Sequence, residues 1–251
     1  MQILVTNDDG IRAEGMALLV KELSRLGHAV NVISPRTNQT SKSHSITYRH
    51  PIDVEEVPLP GAKRAFAVDG TPADCVRVSG ALLPNAPDLV VSGVNHGLNV
   101  GTDAYRSGTI GAAREAAFTG YPALALSAME GADIPFMLLT HLPTVLDMAL
   151  TVRDGFLSVN FPLGLGRERT VVAAGGQPYN ETAEIEEGRL GEGRLRVRIR
   201  RSALRGSQAL PPDLTVVLGG KVAVSALSRE VGTPSLREPG RMERTTQENA
   251  S

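Results

Sequence analysis

The chain has 251 residues, with 26 Lys plus Arg against 27 Asp plus Glu and a formal net charge of −1. That length suits one large domain or a domain with an appendage. Near neutrality excludes a general field for a nucleic acid duplex or an anionic membrane, so any anionic ligand must be held locally. Cys75 is the single cysteine, which excludes an internal disulfide and a cysteine-based zinc cluster and suits a reducing cytoplasm. No basic leader precedes the opening apolar run, and nowhere do eighteen apolar residues run uninterrupted. The expectation is a cytoplasmic protein with no membrane partner.

Gln2 to Thr6 is a short apolar run that ends in the turn signal Asn7-Asp8-Asp9-Gly10. Met16, Leu19, Val20, Leu23 and Leu26 then recur at helical spacing, Gly27 stops the helix, and Ala29 to Ile33 alternates as a strand. The opening is therefore a βαβ unit. Ala65 to Val68 predicts a strand, Asp74 to Leu83 a helix, Leu89 to Val91 a buried strand, and Gly108 to Thr119 an Ala-rich helix. Ala123 to Ser127 predicts a strand, Phe136 to Arg153 a helix, and Leu157 to Phe161 another strand. Such alternation through about residue 162 argues an α/β fold with a doubly wound, mostly parallel sheet.

The last third changes character. Leu195, Val197 and Ile199 alternate with Arg194, Arg196, Arg198 and Arg200, which predicts a two-faced strand paired in a hairpin with the segment Glu181 to Glu187. The arginine row is read as cross-strand pairing with Glu184, Glu186 and Glu187 rather than as a nucleic-acid surface, because the acids are close and the net charge is near zero. Val216 to Leu227 predicts one more strand or a strand pair, and 237–251 a frayed polar tail.

Open α/β sheets bind ligands at the carboxyl ends of their strands. The loops that qualify hold Asn7 to Gly10, Ser34 to Ser45, and Ser92 to Gly108. Together they offer paired carboxylates, hydroxyls and amides without thiol or His-rich donors, which suits Mg²⁺ or Mn²⁺ rather than zinc. Asn-Asp-Asp-Gly is also a good turn before a helix, but two acids concentrated at a strand end repel each other unless a cation joins them. Ser107-Gly108-Thr109 precedes the Ala-rich helix and reads equally as a phosphate cradle or as an ordinary helix cap. Neither a Walker A pattern nor GxGxxG occurs, which argues against a P-loop nucleotidase and a standard NAD site. Among the histidines His96, beside Asn95, is the one placed for chemistry; Cys75 reads as a buried small residue.

Thr6-Asn7-Asp8-Asp9-Gly10-Ile11, Val68-Asp69-Gly70-Thr71-Pro72-Ala73-Asp74-Cys75-Val76, Leu89-Val90-Val91-Ser92-Gly93-Val94-Asn95-His96-Gly97 and Ser107-Gly108-Thr109 occur in that order. The combination resembles the SurE family, the survival-protein 5'-nucleotidases, over residues 1–128, with Leu157 to Pro162 extending the match. The resemblance implies a metal-dependent phosphatase acting on nucleoside 5'-monophosphates, with one divalent ion, Mg²⁺ or Mn²⁺, per subunit. It implies a Rossmann-like catalytic core over 1–162, then a β-rich extension over 163–236 that builds a homodimer or homotetramer and returns to the core, and a flexible tail over 237–251. Carried over by motif, Asp8, Asp9 and Asn95 look like metal ligands, with Asp8 and Asp9 also the catalytic residues. Asn99, Ser107, Gly108 and Thr109 look like phosphate-site residues. Thr40 stands where the family carries a ligand serine, and Arg36 where an aspartate is common.

The resulting expectation is hydrolysis of a phosphate monoester. A receiver-like signalling module also places paired acids around Mg²⁺ after its first strand, but needs a phosphorylatable aspartate after a later strand, where this chain has Asn95. A third reading is a catalytically weakened nucleotide-binding relative in which Thr40 and Arg36 have displaced the metal.

Overall fold

The computed structural model describes residues 1–185, 196–202 and 209–229. The elements in chain order are β1 (Gln2–Thr6), α1 (Glu14–Arg25), β2 (Ala29–Pro35), β3 (Val54–Glu56), β4 (Arg64–Val68), α2 (Pro72–Arg77), α3 (Ser79–Leu82) and β5 (Leu89–His96). A 3₁₀ turn (Gly101–Tyr105) leads to α4 (Gly108–Phe118), β6 (Ala123–Ala128), α5 (Ile134–Thr151), β7 (Gly155–Phe161), β8 (Arg169–Val171), β9 (Asn180–Ile185), β10 (Val197–Ser202), α6 (Pro212–Leu218) and β11 (Val222–Ser228). Nine strands form one sheet in the order β3-β4-β2-β1-β5-β6-β7-β11-β8, and β9 and β10 form a separate antiparallel pair.

From β4 through β7 every neighbouring pair is parallel. Parallel strands need covering on both faces, and the alternation inside each strand divides the side chains between two cores. Ile3 and Val5 join Leu19 and Leu23 of α1 and Leu142 and Leu146 of α5 on one face; Leu4 and Val90 join Val76 of α2 and Ala112 and Ala116 of α4 on the other. Burying a residue such as Leu4 contributes roughly 1.5–3 kcal/mol. The small residues of α4 let its backbone lie close to the sheet. By length and composition α5 could cross a membrane, yet Met137, Leu138, Leu142, Val145, Leu146 and Ala149 are buried against the sheet.

The doubly wound, mostly parallel sheet is the expected one. From β1 the chain winds outward through β2 and β4, then returns to lay β5, β6 and β7 on the other side of β1. The loops after β1 and β5 therefore diverge and open a crevice at the carboxyl edge.

Local expectations differ in four places. The helix expected over Asp74 to Leu83 is two helices that break at Val78, in a stretch of β-branched residues followed by Ser79-Gly80 with weak helix preference. The strand at Leu89 continues to His96, with a register shift against β6 between Ser92 and Asn95 that turns the strand end toward the crevice. Val216 to Leu227 is not a strand pair: Pro212 opens α6, and only β11 is a strand, antiparallel to β7. The edge strands β3 and β8, each three residues long, were not anticipated. In the hairpin, Glu184 faces Arg198 and is bonded by Arg200 at 2.6 Å, as the charge pattern predicts, and Glu181, outside that pattern, faces Arg201. Glu186, Glu187, Arg194, Leu195 and the tail 237–251 lie outside the described residues.

Candidate active site

Parallel pairing sets the ends of β1 and β5 side by side, with Thr6 opposite Ser92. Beyond Thr6 the chain turns around the buried Asn7, whose Oδ1 accepts from the Gly10 N–H at 3.1 Å and from Ser34 Oγ at 2.5 Å, while its Nδ2 donates to the Gly10 carbonyl at 3.0 Å. Asn7 thus locks this turn to the end of β2 and fixes where the next two side chains point. Asp8 is 2% exposed and accepts a short hydrogen bond from the Thr109 hydroxyl. Asp9 is half-buried; its carboxylate accepts from the His96 backbone N–H at 3.3 Å and from Asn38 Nδ2 at 3.4 Å. Bonds of that length are weak, so Asp9 is held loosely.

Burial pushes the Asp8 carboxyl up to about 6, with the Thr109 hydrogen bond opposing and the neighbouring Asp9 charge adding to the rise. Among the described residues neither Asp8 nor Asp9 forms an ion pair, and no cluster of three or more His, Cys, Asp or Glu occurs. The donor set at the crevice is two carboxylates with neutral amide and hydroxyl oxygens. That chemistry fits a hard divalent cation, whose charge would offset the cost of ionising a buried carboxylate beside another.

The N-terminus of α4 comes within contact of Asp8. A Cβ built on Gly108 would lie 2.9 Å from Asp8 Cβ and 3.1 Å from Pro72 Cγ, so no larger residue fits between helix and acid. Ser107 caps the helix by accepting from the Ile110 N–H at 3.2 Å. Its oxygen therefore serves the cap, while its hydroxyl proton is left to donate. Thr109 commits its hydroxyl to Asp8, orienting that carboxylate rather than facing open crevice.

The remaining expected residues occupy different situations. Asn95 is half-buried, with Nδ2 on the Gly97 carbonyl at 2.9 Å, which leaves Oδ1 as its open donor atom for a cation. Asn99 is buried inside a polar knot: its N–H meets Asn160 Oδ1 at 2.8 Å, its Nδ2 meets Ser127 Oγ at 2.7 Å, and Asn160 Nδ2 reaches its carbonyl at 3.2 Å. Thr40 is exposed, its N–H on Asn38 Oδ1 at 2.8 Å. Its loop is the strap over the acids, since Gln39 N–H bonds the Asp8 carbonyl at 2.6 Å. Farther on, Ser43 bonds the Tyr105 and Arg106 carbonyls and His44 meets Glu115 of α4 at 2.7 Å.

Sequence reasoning missed Asn38, Ser127 and Asn160. Asn38 is two residues from Thr40 in a loop already singled out, whereas Asn160 and Asn99 are 61 positions apart and no local pattern links them. The Asp69 to Val76 motif is a fastener: Asp74 closes a capping box with Thr71 and accepts from the N–H and hydroxyl of Thr47 at 2.8 and 2.7 Å, anchoring the strap. His96 brings its backbone, not its ring, to the acids, and His141 lies in the core between the Gly166 carbonyl and Arg169. Cys75 is buried, and desolvation raises its thiol far above the usual range, as suits an inert residue.

The doubly wound, mostly parallel sheet, with two adjacent acids at its switch point and one of them against a helix N-terminus, defines an α/β protein with its polar crevice at the carboxyl edge. The family model for survival protein SurE matches residues 3–186, and the chain belongs to that family. It is 41% identical over 191 residues to a 5'-nucleotidase SurE of Sorangium cellulosum, covering 71% of each chain. It is 47% identical over 129 residues to a 5'-nucleotidase SurE of Clostridium botulinum, an alignment that spans about half of each (51%). The crystal structure of the SurE protein from Aquifex aeolicus superposes with a TM-score of 0.77 at 29% identity, covering 92% of this chain and 95% of that one.

Proposed function

We propose that the protein hydrolyses nucleoside 5'-monophosphates to nucleoside and inorganic phosphate with one divalent cation, Mg²⁺ or Mn²⁺, per subunit. The observation that carries this reading is the contact of Asp8, the neighbour of Asp9, with the start of α4, through the Thr109 hydroxyl and the side-chain-free face of Gly108. Cation and phosphate sites so placed meet at one point.

Asp8, Asp9, the Asn95 Oδ1 and the Thr40 hydroxyl would hold the cation, with Asn38 steadying Asp9 and the strap that carries Thr40. When bound, that ion supplies positive charge to the phosphoryl oxygens and activates water as the nucleophile. At the start of α4 the Ile110 N–H is taken by the Ser107 cap, so the Gly108 N–H and the Ser107 hydroxyl are the donors that would meet phosphate oxygens. Asn99 belongs to the phosphate site by fixing the loop between β5 and the 3₁₀ turn. A carboxylate oxygen of Asp8 or Asp9 not engaged elsewhere accepts the proton of the attacking water. Phosphate release from AMP and GMP, measured with Mn²⁺ and after verified chelation, tests the reading: turnover appears only with the ion, and full turnover in excess EDTA overturns it.

The same proposal includes a homodimer or homotetramer assembled through the hairpin. Supporting it, Val197 faces Ile185 and Ile199 faces Ala183, so one face of a two-stranded ribbon is apolar while Ile185, Val197 and Ile199 are 63%, 53% and 62% exposed. Isolated two-stranded ribbons are marginal in water. Light scattering on Ile199→Asp is expected to give a smaller particle than the wild type. A cytoplasmic location completes the reading, supported by a lone, buried cysteine.

A further inference from the structure

The segment that leads into Ser107 is held chiefly by the C-terminal extension. Gly101 N–H donates to Oδ2 of the buried Asp213 at 2.9 Å, and Thr102 N–H to the Gly176 carbonyl at 2.8 Å. Gly101 sits at φ +54° with the Gly176 carbonyl 2.3 Å from where a Cβ would stand, so the two strands of chain touch backbone to backbone. Next, the Tyr179 hydroxyl donates a short hydrogen bond to Asp103 Oδ1, and Arg201 lies over the Tyr179 ring with its guanidinium carbon 4.4 Å from the centroid. Arg106, the residue before Ser107, pairs with Glu181 at 2.9 Å and reaches the Tyr179 oxygen at 3.4 Å, while Arg201 meets the same Glu181 at 3.3 Å. Burial, then the bond to Asp103, pushes the Tyr179 phenol up to about 12, so it stays a donor through the alkaline range. On the opposite side the strap's Ser43 holds the Tyr105 and Arg106 carbonyls.

We propose that Tyr179 and Asp103 are positioning residues of the phosphate site: their bond fixes the 3₁₀ turn, and through it Ser107, to the base of the hairpin. This rests on the phosphate-cradle reading above. Neither side chain touches the acid pair, and Thr109 and Gly108, which do, are held in place by Asp8 and by α4 itself, so the bond acts on where Ser107 stands rather than on the cation site. A small displacement of such a donor weakens phosphate binding disproportionately. The hairpin base therefore sets substrate affinity as well as any assembly.

The experiment uses full-length, Mn²⁺-loaded protein. Tyr179→Phe keeps the ring under Arg201 and removes only the hydroxyl; it is expected to raise KM for AMP and the Kd for inorganic phosphate about fivefold to tenfold, with kcat within about twofold. Mn²⁺ affinity by calorimetry and mass by light scattering stay at wild-type values. Asp103→Ala reproduces the defect, and Asp103→Asn, whose amide oxygen still accepts from Tyr179, recovers most of the lost affinity. A change in thermal stability alone, with KM and phosphate Kd unmoved, overturns the proposal, as does a parallel loss of Mn²⁺ affinity. If the wild type releases no phosphate from AMP, the nucleotidase reading fails separately, and phosphate affinity decides: equal values in wild type and Tyr179→Phe, absent binding included, overturn the positioning role.

Discussion

The end of β1 and the β9–β10 hairpin flank the same short segment before α4, and they are built by opposite means. At β1 two like charges stand together, one of them buried, with hydrogen bonds but, among the described residues, no counter-charge. In the hairpin opposite charges alternate across exposed strands, Arg200 with Glu184 and Arg201 with Glu181. The first arrangement is costly until something cationic arrives; the second is self-balanced and contributes little. Unbalanced burial thus marks where a ligand belongs, while balanced exposure marks a scaffold.

The contrast is tested most severely by Asp9→Asn, which keeps shape and removes charge. Phosphate release from AMP is expected to fall by about 10²–10³-fold with the circular dichroism spectrum unchanged, and an unaltered rate would remove Asp9 from the site. Thr109→Val takes away the hydroxyl that orients Asp8; Mn²⁺ affinity by calorimetry is expected to drop about tenfold or more, and wild-type affinity would reduce Thr109 to packing. Ser107→Ala separates cap from cradle. It is expected to cost about 1 kcal/mol in denaturant unfolding and about tenfold in kcat/KM; lost stability with intact catalysis leaves only the cap.

A smaller effect is expected where core passes into extension. Burial lowers the His141 pKa below its ordinary value of 6.5, with the Gly166 carbonyl opposing and Arg169 adding to the fall. The depressed value means that His141 stabilises the fold above pH 6.5, and that this contribution is lost as the pH falls through the native value. Unfolding of His141→Gln should therefore vary less with pH over the acidic limb than the wild type; parallel curves would refute it. Smallest of all, Arg200→Ala in the hairpin should change unfolding stability by no more than about 0.5 kcal/mol, and a loss several times larger would erase the distinction between the two regions.

What the sequence could disclose follows the range of the interactions. β1, α1, the opening of α4 and the parallel order were legible because period and turn chemistry are local, and Asp8-Asp9 because adjacency itself is a signal. The bond from Thr109 to Asp8 crosses 101 positions, so the residue could be singled out but its partner could not. Asn38 hid behind Thr40, since both are polar loop residues and only the folded strap decides which one meets Asp9. In Val216 to Leu227 the apolar run masked a helix start that Pro211-Pro212 announces.

On the function proposed above, Gly108 also ties two binding events into one thermodynamic unit. With helix and carboxylate in van der Waals contact, a cation on the acids and an anion on the α4 amides occupy one poorly hydrated volume, where each lowers the electrostatic work of bringing in the other. Linkage makes that effect reciprocal. The factor by which phosphate tightens Mn²⁺ must equal the factor by which Mn²⁺ tightens phosphate, so an empty site holds either ion weakly and product and metal retain each other until one of them departs.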